Sequence, residues 1–296
     1  MPRQTVAEIL KKVQKIQIVA NHAVDGLFAG QYKSVFRGRG MEFDEVRQYQ
    51  PGDDIRTIDW NVTARTGDCF IKRYCEEREL TVLFLVDVSA SGLFGSTQQT
   101  KLERALEIAA LLMFSAMKNN DKVGLATFCR GIVEFIPPRK GKAHVLRLIR
   151  QLVDQGPLAG ETDLENTLEF VNRVQKRRAV LFVVSDFLCR LPKKTLAVTS
   201  RRHDVTAIVV ADRREAELPD VGFITLRDAE TGEVIELDTR NPQVRNLFVA
   251  RANSRRESLT AQLRQVGIDQ LSVTTDGDYL VELRKFFRMR ERRLGS

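Results

Sequence analysis

Thr-Val-Leu-Phe-Leu-Val-Asp-Val-Ser-Ala-Ser, residues Thr81 to Ser91, decides the fold. From Thr81 to Val86 every side chain is apolar or β-branched and neither face carries a charge. Such a strand is covered on both sides and belongs in a parallel sheet. Asp87 ends the run, and Ser89 and Ser91 follow at alternate positions, so a carboxylate and two hydroxyls arrive where the strand gives way to its helix. That carboxyl edge is where open α/β sheets bind ligands. The donors are hard oxygens, which suit magnesium or manganese better than zinc or copper.

Working outward, Ala179 to Val184 is a second apolar strand ending in Ser185-Asp186-Phe187, and Val205 to Val210 is a third ending in Ala211-Asp212. Lys122 to Cys129 reads as a strand with Ile132 to Ile136 as its hairpin partner, stopped by Pro137-Pro138. Apolar residues recur at helical spacing over 101–120, 144–152, 164–175 and 192–202. Farther on come a hairpin over 223–237, a basic helix over 242–266, a short strand over 271–275 and a closing helix over 279–293. The alternation predicts an α/β fold with a doubly wound, mostly parallel sheet whose strands have acidic tips. Gly156 to Asp163 opens the third of these helices, with Thr162 or Asp163 as its ordinary N-cap. His144 stands alone and reads as a satisfied or exposed histidine rather than a base.

Upstream, residues 5–19 show the spacing of an amphipathic packing helix, and 26–40 is read as a glycine-rich basic loop without the pattern of a phosphate-binding P-loop. Met41 to Arg65 interleaves Phe43, Val46 and Tyr49 with charges, turns at Pro51-Gly52-Asp53, and reaches the sole tryptophan, Trp60. Two readings stay open: a polar surface hairpin, or a segment locked by Arg47, Arg56 and Arg65 against Glu42, Asp53, Asp54 and Asp59. Cys69 to Leu80 is expected to be a strand. Residues 1–79 form an N-terminal helix and signature segment expected to pack on a core domain of residues 80–296.

The 296 residues are 43% hydrophobic with a formal net charge of +8, enough for a proper core and too little charge to decide a partner. No run of eighteen apolar residues occurs, so no membrane span is expected. The cysteines are scattered, which argues against zinc and for reduced thiols, and a cytoplasmic location is expected. Arg284 to Arg293 holds six basic residues in ten, read as a solvated helix end complementing the macrodipole rather than an anion-binding patch.

Asp87, Ser89, Ser91, Thr162 and Asp186 fall on three strand-to-helix connections. Together they resemble the metal-ion-dependent adhesion site of von Willebrand factor A domains. The resemblance implies that Ser89, Ser91 and Thr162 ligate Mg2+ (or Mn2+) through hydroxyls, with Asp87 and Asp186 acting mainly through bound water. Neutral hydroxyl ligands leave such a cation able to attract a partner's carboxylate, and no histidine or spare carboxylate is placed as a base. The implied protein is not an enzyme.

Gly38-Arg-Gly-Met-Glu-Phe43, Arg47-Gln-Tyr49, Pro51-Gly-Asp-Asp54, Arg56, Ile58-Asp-Trp60 and Ala64-Arg65 closely resemble the signature of the bacterial family called domain of unknown function 58. Its signature positions here are Gly40, Glu42, Phe43, Arg47, Tyr49, Gly52, Asp53, Arg56, Asp59, Trp60 and Arg65. The resemblance implies a von Willebrand A-like, Rossmann-like domain after the signature extension. It also implies a MoxR-type AAA+ ATPase as partner, with the chain as its adaptor or co-chaperone toward an unknown client that presents a carboxylate. A magnesium-dependent phosphohydrolase is discounted because Ser89 stands where an aspartate would be needed, and nucleic acid is discounted as a partner because no stacking aromatic series accompanies the basic helices.

Overall fold

The structure, a computed structural model, describes Tyr32, Val35, Phe36 and residues 42–75, 79–97, 99–227 and 232–294. The helix expected over 5–19 and Gly40 of the signature lie outside these residues. The chain divides into two compact units, Phe36–Leu80 and the remainder.

In the smaller unit β1 (Glu42–Gln48) pairs antiparallel with β2 (Phe70–Cys75), Arg47 opposite Ile71. The loop between them is not a plain hairpin turn. It holds a single 3-10 turn, Ile55–Thr57, and a short helix α1 (Trp60–Thr66). Asp54 accepts from the Arg56 backbone N–H at 2.9 Å, and Asp59 caps α1 by accepting from Asn61 and Val62 at 3.0 and 3.3 Å. Two of the four carboxylates expected to meet arginines are therefore helix caps, the role short acidic side chains fill best at an N-terminus. Arg47 does pair with Asp53, at 2.6 Å. That bond, helped by the Gln50 N–H, holds the Asp53 carboxyl below its usual range. Trp60 is 68% exposed and Ile55 67%.

The larger unit runs β3 (Thr81–Asp87), α2 (Lys101–Lys118), β4 (Lys122–Phe128), β5 (Ile132–Arg139), α3 (Lys142–Gln155), α4 (Leu164–Val174), β6 (Val180–Ser185), α5 (Lys193–Arg202), β7 (Asp204–Ala211), β8 (Phe223–Arg227), β9 (Val234–Asp238), α6 (Pro242–Gln265), β10 (Asp269–Thr274) and α7 (Tyr279–Leu294). Strand order is β10-β7-β6-β3-β4-β5, parallel except for the antiparallel β4–β5 pair. This is the doubly wound α/β sheet, with β3 inside it. Alternate β3 side chains serve opposite faces: Leu83 and Leu85 join the cluster with Leu168, Val171 and Leu263 of α4 and α6, while Phe84 stacks on Phe182 with centroids 5.2 Å apart. Each such side chain, taken from water, contributes about 1.5–3 kcal/mol.

The antiparallel edge carries an irregularity with a clear cause. Leu125 pairs with Ile136 and Val123 with Arg139, so Pro137 and Pro138 together oppose Gly124, a β-bulge. A Cβ on Gly124 would stand 2.8 Å from Pro138 Cγ, so only glycine admits the prolines here.

Two readings need correction. Tyr32 and Val35 are helical and buried rather than part of a loop. Their i, i+3 spacing fits one helix face, and the Tyr32 ring meets Phe287 edge-on at 6.5 Å. The basic end of α7 is not uniformly solvated. Arg290 is 7% exposed, pairs with Asp204, donates to Thr206 Oγ1 at 2.9 Å and lies 3.4 Å from Asp269, which also holds Arg293 at 2.6 Å. His144 has its Nε2 2.9 Å from the Val123 carbonyl, so it is a satisfied histidine.

Candidate functional site

Backbone and side-chain hydrogen bonds build the carboxyl edge of β3. Asp87, the last residue of the strand, is 8% exposed, and its Oδ1 accepts from the Ser89 N–H at 2.9 Å. That turn brings the Ser89 and Ser91 hydroxyls within 2.9 Å of each other. The Leu158 N–H donates to the Val88 carbonyl at 2.7 Å, and the Asp163 N–H to the Cys129 carbonyl at 2.7 Å. The loop before α4 is thereby laid against the strand ends. Gly160 makes the bend possible with φ of +131°, and the Arg130 side chain occupies the space a Cβ would need. Of the two residues that could cap α4, Asp163 does so, accepting from the Asn166 N–H at 2.9 Å. Thr162 is freed to turn inward, its hydroxyl 3.2 and 3.4 Å from the two Asp87 oxygens.

From β6, Ser185 Oγ donates to Asp87 Oδ2 at 2.7 Å and accepts from the Phe187 N–H at 3.0 Å. Phe187 is buried with φ of +53°. A bulky residue in the left-handed region stores strain of about 1–3 kcal/mol, a cost typical of sites held in a set geometry. Between them, Asp186 is turned by its Oδ1, which accepts from the Leu188 N–H at 3.1 Å.

Thus Asp87, Ser89, Ser91 and Thr162 are drawn together by hydrogen bonds, whereas Asp186 shares the cavity lining with the first three but bonds to a residue the sequence reading passed over. Its Oδ2 accepts from Lys101 Nζ at 2.6 Å, and the same ammonium also bonds Glu215. Lys101 opens α2, an unfavourable place for a cation against the helix dipole. That misfit was the available sign that its side chain has partners elsewhere. Ser185 was the other omission, visible only as the hydroxyl preceding an acidic strand tip.

Charges follow from this packing. Burial pushes the Asp87 carboxyl above its ordinary value and the charge of Asp186 adds to the effect, against the Ser185 and Ser89 hydrogen bonds. Burial works against the Lys101 ammonium, but Asp186 and Glu215 outweigh it and raise its pKa. Nearby, Asp212 is held below its usual range despite burial, because Ser96, Thr275 and the Arg214 N–H all donate to it. These bonds fasten the loop after Ser91 to the tips of β7 and β10.

The residues fit a divalent cation. Asp87, Ser89, Ser91, Lys101, Ser185 and Asp186 line a cavity of about 20 Å³, room for roughly one water-sized occupant. Of the charged side chains lining it, Asp87 and Asp186 carry carboxylates and Lys101 an ammonium, so with all three ionised one negative charge is in excess. Asp87 has hydroxyl and amide donors but no cationic partner among the described residues. Nor do three His, Cys, Asp or Glu side chains converge among those residues, so protein ligands to a cation would include hydroxyls.

Beside this cavity lies a larger one of about 440 Å³, bordered by Asp186, Leu188, Glu215, Arg255 and Arg256. No described helix is long and apolar enough to cross a membrane.

Comparison with known proteins places the chain. It is 32% identical to the uncharacterized protein Rv1480 of Mycobacterium tuberculosis over 283 residues, 95% of this chain and 89% of that one. Among solved structures it is similar to the conserved hypothetical protein BatB of Bacteroides thetaiotaomicron, at 17% identity and a TM-score of 0.46 over 72% of this chain and 99% of that one. It is also similar to the SpRpn10 VWA domain, at 15% identity and a TM-score of 0.39 over 70% and 94% of the two chains. The model of the family described as protein of unknown function DUF58 matches residues 45–258, and the chain belongs to that family.

Proposed function

We propose that this protein is a non-enzymatic, metal-dependent interaction module that grips a carboxylate of a partner protein at the carboxyl edge of its sheet. The observation that carries the reading is the convergence of Ser89, Ser91 and Thr162 hydroxyls on a buried Asp87 beside an ion-sized cavity. Mg2+ or Mn2+ bound there through neutral hydroxyls keeps most of its charge and its exchangeable waters, and so supplies attraction for an incoming anion. Asp87 and Asp186 would steady its water shell. Neither His144 nor His203, the two described histidines, is among the residues lining the cavity, which favours binding over hydrolysis.

The resemblance of the N-terminal signature supports a MoxR-type AAA+ ATPase as partner and an adaptor or co-chaperone role in assembling or maturing protein complexes. The scattered cysteines of the sequence, read as reduced thiols, accord with action in the cytoplasm. The test is a pull-down from the source cell's lysate with the intact protein and Asp87→Ala, each in magnesium and in EDTA. An ATPase or assembly factor retained by intact protein with metal alone supports the proposal. The same proteins on all four samples would refute it.

A further inference from the structure

We infer that Lys101 is a tethered cation that competes with the divalent ion for Asp186 and so sets the site's metal affinity. The inference rests on the metal-site reading above. Lys101 is 2% exposed, and its ammonium donates to Asp186 at 2.6 Å and to Glu215. Its stem is anchored at the base, where the Lys101 N–H donates to the Phe94 carbonyl at 2.9 Å. The ammonium at its tip is held by the two carboxylates, and leaves them only by giving up both ion pairs.

Asp186 is correspondingly committed. One oxygen accepts from the Leu188 N–H and the other from Lys101, and its side chain is 7% exposed. A divalent ion entering the cavity shared by Asp87, Ser89, Ser91, Lys101 and Asp186 meets a fixed positive charge at its border. It must divide Asp186 with that charge or displace it. Buried like charges repel strongly, since little water screens them.

Glu215 decides which happens. It offers the ammonium a second carboxylate at the margin of the larger cavity, outside the lining of the smaller one. With Glu215 in place, Lys101 keeps a partner even if Asp186 turns to the metal. Without it, Lys101 depends on Asp186 alone.

The two residues therefore have opposite effects. Lys101→Met keeps the length of the side chain and removes the charge, and is expected to tighten metal binding at least tenfold. Glu215→Gln is expected to weaken it severalfold. A role in folding alone would shift both variants the same way. The experiment is titration of full-length protein and both variants with Mn2+, read by calorimetry and by the electron paramagnetic resonance of free Mn2+.

Tighter binding by Lys101→Met with weaker binding by Glu215→Gln supports the inference. Binding by Lys101→Met but not by the unaltered protein also supports it, while overturning metal dependence in the unaltered protein. Equal or weaker binding by Lys101→Met, with the unaltered protein binding, overturns the inference and leaves the metal site standing. Binding by none of the three overturns both. Should Lys101→Met fail to fold, Glu215→Gln alone decides, tighter or unchanged binding refuting the competition.

Discussion

Ser185 Oγ donates to Asp87 Oδ2 at 2.7 Å across the neighbouring strands β6 and β3. The bond joins the two acidic strand tips of the site, and the same Ser185 Oγ accepts from the N–H of the strained Phe187. One hydroxyl thus serves a buried carboxylate and an unfavourable backbone conformation.

Replacing Ser185 by alanine is therefore expected to cost about 2 kcal/mol of stability, the usual loss when a buried charged acceptor is deprived of a donor. Urea denaturation in EDTA checks this. Ser185→Thr, which keeps the hydroxyl, should recover most of the loss.

Asp87 presents the opposite case. Its folded pKa is raised, so the folded state takes up a proton more readily than the unfolded one. Stability falls as pH rises from the ordinary carboxyl value through the folded value, and stays lower above it. In EDTA at neutral pH, Asp87→Asn should melt no lower than the unaltered protein, while its Mn2+ binding falls more than tenfold. A marked drop in melting temperature would show that the carboxylate is structural.

His203 is buried, and neither ring nitrogen has a hydrogen-bond partner among the described residues. Burial, with the charges of Arg202 and Arg178, lowers its pKa to about 4. The unfolded state therefore gains the proton first. Stability is full above about pH 6.5 and is lost as pH falls toward 4, by about 2–3 kcal/mol in all. His203→Phe should flatten this part of the melting-temperature profile, though overpacking can lower its overall level.

Arg290 and Arg288 stand two residues apart on α7 with different duties. Arg290 is buried against Asp204 and Asp269, whereas Arg288 is exposed. Arg290→Ala should destabilise by about 1–3 kcal/mol, through the lost charged hydrogen bonds to the half-buried Asp204 and to Thr206. Arg288→Ala should be within about 0.5 kcal/mol of unaltered, as surface changes usually are. Thermal melts of the two variants compare them directly.

The central strands were legible because burial on both faces leaves an unmistakable mark: no charge interrupts Val82–Val86 or Val180–Val184. The same logic located Asp87 and Asp186, each at the end of such a run. Thr162 was found through a resemblance, since spacing alone allowed it to be the cap that Asp163 proves to be. Lys101 and Arg290 escaped because a charged side chain on an amphipathic helix looks solvated until its partners are known, and those partners lie 85 and 86 positions away in the chain. Helix α1 escaped because seven residues of mixed polarity carry too little periodicity to register.

The bulge of Pro137 and Pro138 opposite Gly124 governs how the molecule can meet its neighbours. An outermost strand ordinarily offers a foreign backbone a row of donors and acceptors to continue the ladder. Here two consecutive residues have no N–H to offer, and the bulge turns the strand's rim away from a straight template. Growth of the sheet past β5 by strand addition is blocked.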